Sequence, residues 1–173
     1  MASAEFTFDL KELNSLAKLL EQAKLSSSER MQLLENIGTK VEYQTHERFD
    51  DQRDSKGNAW KALAQKTRDY YASNGMGHGR LLEQSGGLRD SIESQADDWS
   101  VLVGATKMYA AIHQFGGEIR PKTKAALYVP GYGMLQKVTI PARPYLGIST
   151  SNADDIGKIA LAFLAGRITE RVS

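Results

Sequence analysis

Apolar residues recur at helical spacing through the first third of the chain. In "FDLKELNSLAKLLEQAKL", Leu10, Leu13, Ala17 and Leu20 follow a 3, 4, 3 spacing that lines one helical face. Asp9 is the expected N-cap, with Glu12 as its capping-box partner. "LSSSER" breaks the pattern, and Ser26 or Ser27 is placed to cap a second helix, with Glu29 or Arg30 in its first turn. From Glu29 onward Met31, Leu34, Gly38, Val41, Thr45 and Phe49 share a face, and charges fill the other. Two antiparallel helices in a hairpin over residues 1–56 is the simplest prediction.

"DDQRDSKGNAW" is turn chemistry, and "KALAQKTRDYYASN" reads as a short helix. "GMGHGR" is expected to be an exposed loop, because its glycines resist regular structure. The pattern then changes period. In "WSVLVGA", Val101 and Val103 alternate with Leu102 as in a buried strand. "MYAAIHQFGG" has helix length and closes on glycines. "AALYVP" and "QKVTIP" are short β-type runs, and "GYGML" between them predicts that they form a hairpin, with Pro130 and Pro141 at its outer ends. "SNADDIGKIALAFLAGRITERVS" is a final helix capped by Ser151 or Asn152, with Ile156, Ile159 and Phe163 along one face. Helices, then strands with a helix among them, then a helix make an α+β protein. A small antiparallel sheet with the packed short helix and the last helix forms a core over residues 57–173, in one structural unit with the hairpin.

Composition narrows the function. The chain has 173 residues, 41% hydrophobic and 25% charged, which suits an ordinary globular domain. No apolar run approaches the roughly 20 residues of a membrane span, and the N-terminus has no basic region followed by an apolar stretch. A membrane partner and a secretory signal are therefore not expected. The absence of cysteine removes disulfides and thiolate metal sites, and suits a reducing compartment. Net charge is +1, from 22 basic and 21 acidic residues, so a DNA clamp would need a local basic patch.

Candidate chemistry is sparse. His46, His78 and His113 are scattered and none has a second histidine at metal spacing. His113 as a catalytic base would need a nucleophile and an orienting carboxylate that the sequence does not mark. "GMGHG" lacks the GK[ST] ending of a phosphate loop, and "DDQRD" lacks the offsets of a calcium loop. Arg120, Lys122 and Lys124, with Tyr128 nearby, either touch nucleic acid or guard a strand edge against unwanted pairing. No catalytic set, no cofactor site and no metal site is expected. A small hydrolase stays as a distant third alternative.

Four stretches in order carry a resemblance. "RFDDQRDSKGNAWKAL", "LLEQSGGLRDSI", "VGATKMYAAIHQFGG" and "IPARPYLGIS" are similar to segments of the Mu-like phage virion morphogenesis family, also called tail completion proteins. The resemblance covers about two-thirds of the chain. Ser85 stands where that family often has threonine, and "YYASNGMGHG" is particular to this chain. The resemblance implies a non-enzymatic virion protein at the head–tail junction, assembled in the host cytoplasm. It implies a homo-oligomeric ring, usually of six copies, meeting other neck, connector, tail tube or terminator proteins. Non-specific contact with genomic DNA is also compatible with it, and a nucleic-acid-binding module lining the DNA path is the alternative function.

The candidate interface or structural residues lie in two of these stretches. Tyr109, Ile112 and Phe115 or Gly116 are expected to pack a short helix on the sheet. Gly116 and Gly117 turn the chain, and at least one should have positive φ. His113 and Gln114 offer polar groups either within the chain or across a ring contact. Pro141 and Pro144 hold Arg143 in an extended loop. Arg143 is expected to be held by Asp90, Glu93 or Glu118, or by backbone carbonyls, unless it points into solvent. Tyr145 and Leu146 are expected to insert into the core or into a neighbour.

Overall fold

Ser26 begins the longest helix by a reciprocal arrangement. Its Oγ accepts from the amide of Glu29, while the Glu29 carboxylate accepts from the amide of Ser26 at 2.8 Å. The helix that follows, α1, runs Ser27–Asp51 in a computed structural model that describes residues 4–9, 22–77, 80–97 and 99–172. The first helix of the expected hairpin falls mostly outside the described residues, as does His78. Before it, Ala4–Asp9 forms a strand, β1, so Asp9 ends a strand.

β1 pairs antiparallel with β3 (Ser100–Ala105), and β3 pairs antiparallel with β2 (Ile92–Ala96), giving the order β1-β3-β2. Val101 and Val103 are buried, as their alternation predicts. β2 carries the polar sequence "IESQA" and buries Ile92. α1 lies across β2 and β3. Gly38 makes that approach close: a Cβ there would sit 3.0 Å from Cβ of Ser94 on β2. The inward face of α1 is wider than the stripe read from sequence. Leu33, Leu34, Ile37, Gly38, Val41, Gln44, Thr45, Arg48 and Phe49 are all buried, because the helix meets a sheet on one side and a second helix on the other.

That second helix, α4 (Thr150–Val172), runs antiparallel to α1. Arg167 Nε meets the Glu29 carboxylate at 2.6 Å at one end, and Lys40 and Gln44 reach Asp155 near the other. Ile156 and Ala160 are its buried contacts. Its cap is Ser149, two or three residues earlier than read from sequence. Ser149 Oγ accepts from the Asn152 amide and Asn152 Oδ1 accepts from the Ser149 amide.

Short elements complete the chain. α2 spans Gln65–Ser73 and α3 spans Ala110–Phe115. The expected hairpin is corrected in its pairing. β5 (Leu127–Val129) pairs with β6 (Gly133–Leu135), while β7 (Val138–Ile140) leaves to pair with β4 (Gly117–Ile119). The turn closes at Pro130–Tyr132, where the Tyr132 amide donates to the Val129 carbonyl at 2.9 Å. The α+β class is as the sequence indicates.

Candidate functional site

Residues 141–149 have no regular secondary structure, yet Arg143, Tyr145 and Leu146 are buried. Buried backbone without a ladder partner must find hydrogen bonds elsewhere. Three side chains and one carbonyl supply them. The Arg143 amide donates to the His113 carbonyl at 2.7 Å. Trp60 Nε1 donates to the Pro144 carbonyl at 2.9 Å. Gln114 Oε1 accepts from the amides of Tyr145 and Leu146 at 2.9 and 3.0 Å, and its Nε2 donates to the Leu146 carbonyl at 3.2 Å. Arg48 Nη1 donates to the Tyr145 carbonyl at 2.9 Å, and Nη2 donates to Asn152 Oδ1 at 2.7 Å. Side chains here do the work of a neighbouring strand.

The aromatic rings lock the same place. Phe49 meets the Trp60 ring edge-on at 5.3 Å and the Tyr145 ring at 5.5 Å. Such contacts stabilise by about 0.5–1.5 kcal/mol each beyond burial. Trp60 is delivered there by a tight turn. Asp54 accepts from the amides of Lys56 and Asn58, and the Trp60 amide donates to the Gln52 carbonyl. The arginine-phenylalanine pair that ends α1, the turn, the tryptophan, the short helix and the proline-flanked loop thus form one unit.

α3 presents the opposite face from the one expected. Ala110 and Gln114, four residues apart, point inward, while Tyr109 and Phe115 are exposed, Phe115 by 69%. The polar glutamine is inward because the loop beneath it needs a donor and acceptors more than apolar contact. Ala110 still allows close approach, since its carbonyl accepts from Tyr145 Oη at 3.3 Å. Both turn glycines have positive φ, +70° at Gly116 and +150° at Gly117. A Cβ on Gly116 would sit 2.7 Å from the Ala142 nitrogen, so glycine is required there.

Arg143 is 6% exposed and held by carbonyls. Its Nε donates to Lys61 O at 2.7 Å and Nη2 reaches Ala62 O at 3.4 Å. Neither Asp90, Glu93 nor Glu118 is its partner; Glu118 pairs instead with Arg120 and Lys137. Burial lowers the pKa of Arg143, and lowers that of Arg48 to about 10. Burial, then the Arg143 charge, hold His113 below its ordinary value, and its Nδ1 finds no hydrogen bond. Burial raises the pKa of Tyr145. Among the described residues no group of three or more His, Cys, Asp or Glu is placed to hold a metal, and no helix is long and apolar enough to cross a membrane.

Arg48 and Trp60 complete a unit that the sequence marks only through the order of its motifs. A burial signal for Arg48 exists in the pattern, because it neighbours Phe49 on the inward face, but a charged residue there reads as surface.

The profile of the phage virion morphogenesis family matches residues 10–165. The chain belongs to that family. A protein of Escherichia phage Mu, named as a capsid assembly protein G, is 29% identical over 115 residues, which cover 65% of this chain and 65% of that protein. The Mu-like prophage FluMu G protein 2 of Haemophilus influenzae is 28% identical over 148 residues, covering 86% of this chain and 88% of that protein. No solved structure gives a significant match. Arg48, Trp60, Gln114, Arg143 and Tyr145 all lie within the matched region.

Proposed function

We propose that this family member is a structural, non-enzymatic phage protein that completes the tail or forms the head–tail neck by closing into a ring of identical copies. The observation that carries this reading is the contrast at α3. A buried loop held by side-chain hydrogen bonds lies inside, while Met108, Tyr109, Phe115 and Ile119 stand exposed outside. Large exposed apolar side chains on a rigid frame suit a surface that another subunit covers. Closing a ring needs two different complementary surfaces on each copy. The resemblance suggests six copies, sitting at the head–tail junction with neck, connector, and tail tube or terminator proteins as neighbours. In this reading Tyr109 and Phe115 act at the contact. His113, Gln114, Gly116, Gly117, Arg143, Tyr145 and Leu146 hold the frame that presents them. The name of the phage Mu relative, a capsid assembly protein, supports a role in building the particle.

The test is native mass spectrometry of the purified chain beside Phe115→Asp and Met108→Asp. A closed oligomer for the native chain and a folded monomer for the variants is expected. A native chain that stays monomeric at every concentration, or variants that assemble normally, would overturn the reading.

A further inference from the structure

The chain is nearly neutral, but its charges are segregated. Residues 118–137 carry Arg120, Lys122, Lys124 and Lys137 against Glu118 alone. Glu118 is shared between Arg120 and Lys137, whereas Lys122 and Lys124 are exposed with no ion partner among the described residues. The β5–β6 hairpin of this arm carries Tyr128 and Met134 directly opposite each other, both exposed. α1 has the reverse character. Thr39, Tyr43, Glu47 and Asp51 follow at intervals of four along its exposed side, with Tyr43 exposed by 58%.

Beside this stripe a groove of about 710 Å³ opens between the end of α1 and the start of α4. Gln44, Glu47, Asp51 and Ser151 are among the residues that line it. Its cations are mostly engaged elsewhere. Arg48 is spent on Tyr145 and Asn152, and Arg53 donates to the Gly57 carbonyl, which leaves Lys56. Its Asp54 is spent on the amides of the turn. Glu47 and Asp51 have no ion partner among the described residues. Gln44 is only 4% exposed, and its Oε1 finds no donor. Its orientation is fixed, because Nε2 must face the Asp155 carboxylate at 3.2 Å. That acceptor is enclosed within the chain, so the accessible groups of the groove are the exposed carboxylates of Glu47 and Asp51, which a cation from outside can meet.

We propose that the occupant is a second copy of this chain. The basic arm of one copy seats on α1 of the next, with a lysine ammonium from Lys122 or Lys124 against the exposed carboxylates of Glu47 and Asp51. Tyr128 and Met134 then lie against the Tyr43 side of the stripe. The two surfaces differ, so the contact is head to tail and propagates from copy to copy. Charge complementarity sets its register, and the apolar pair gives it area. This rests on the self-association proposed above and names surfaces apart from α3.

The experiment is a charge swap read by sedimentation velocity, with circular dichroism melting of each variant as the folding control. Glu47→Lys with Asp51→Lys, or Lys122→Glu with Lys124→Glu, should each raise the association midpoint about tenfold or more, since like charges then face each other. Combining all four changes should restore assembly toward the native midpoint. Because the chain has no cysteine, Lys124→Cys together with Glu47→Cys should give an oxidised ladder of linked copies, whereas each single change should not. Unchanged midpoints in folded single-surface variants would overturn the docking while self-association stands. So would failure of the combined variant to recover with no ladder. A native chain that never associates sinks both. If the lysine changes spare assembly but abolish salt-sensitive binding to duplex DNA, the arm is a nucleic-acid contact and the proposal is wrong.

Discussion

Replacing Gln114 by methionine removes a hydrogen-bonding head while nearly keeping its volume. The amides of Tyr145 and Leu146 and the Leu146 carbonyl then lose their partners at 2.9, 3.0 and 3.2 Å. Gln114 is 9% exposed, so water reaches the vacated groups poorly. Each buried group left unpaired costs roughly 1–3 kcal/mol. The loop relaxes in part, so the three together are expected to destabilise by about 3–5 kcal/mol. Native stability is on the order of 5–15 kcal/mol, so this removes a large share of it. Urea unfolding of the variant should show a much lower midpoint with an unchanged slope. Gln114→Glu is the informative companion. It keeps the acceptors but loses the Nε2 donor and buries a charge, so it should also be destabilised, and increasingly so as pH rises and that charge forms. A loss below about 1 kcal/mol for methionine would refute the view that Gln114 replaces a strand partner.

Three further outcomes follow from the same geometry. Gly116→Val should lower the melting temperature more than Gly117→Val, because its Cβ meets backbone at 2.7 Å whereas that of Gly117 meets a movable Ile112 methyl at 2.8 Å; equal melting temperatures would contradict this. Arg143→Lys should destabilise by about 1–2 kcal/mol and Arg143→Ala by more, since the fork reaches two carbonyls that one ammonium cannot serve equally; chemical denaturation decides, and a neutral alanine variant would contradict it. His113 has a folded pKa below its ordinary value, so the unfolded chain takes up the proton first and stability should fall as pH drops below about 6.5, an effect that His113→Asn should remove.

Local signals were legible in the sequence wherever the physics is local. The Ser26 cap, the extent of α1, the valine alternation in β3 and the glycine stop after Phe115 all depend on neighbours a few residues away. Pairing between three-residue strands does not. "VTI" reads as a partner for "LYV", but the turn at Gly131 closes on "GML" first, and "VTI" is free to meet Gly117–Ile119. The inward face of α3 was hidden for a related reason. Hydrophobicity points Tyr109 and Phe115 inward, whereas an irregular buried loop 31 and 32 residues away demands a glutamine. Arg143 was placed between candidates by chemistry alone, and carbonyls of Lys61 and Ala62 hold it because the chain after Trp60 passes beneath the loop. Motif order identified the unit, although no single residue in it announces its role.

A cryo-EM map of the assembled particle tests the central claim most directly. The account predicts this chain as a closed ring of identical copies at one end of the tail, with Phe115 and Tyr109 covered by neighbouring protein and Gln114, Arg143 and Tyr145 inside each copy. A particle that lacks the chain, or one that carries it as isolated copies with the α3 surface open to solvent, would contradict it.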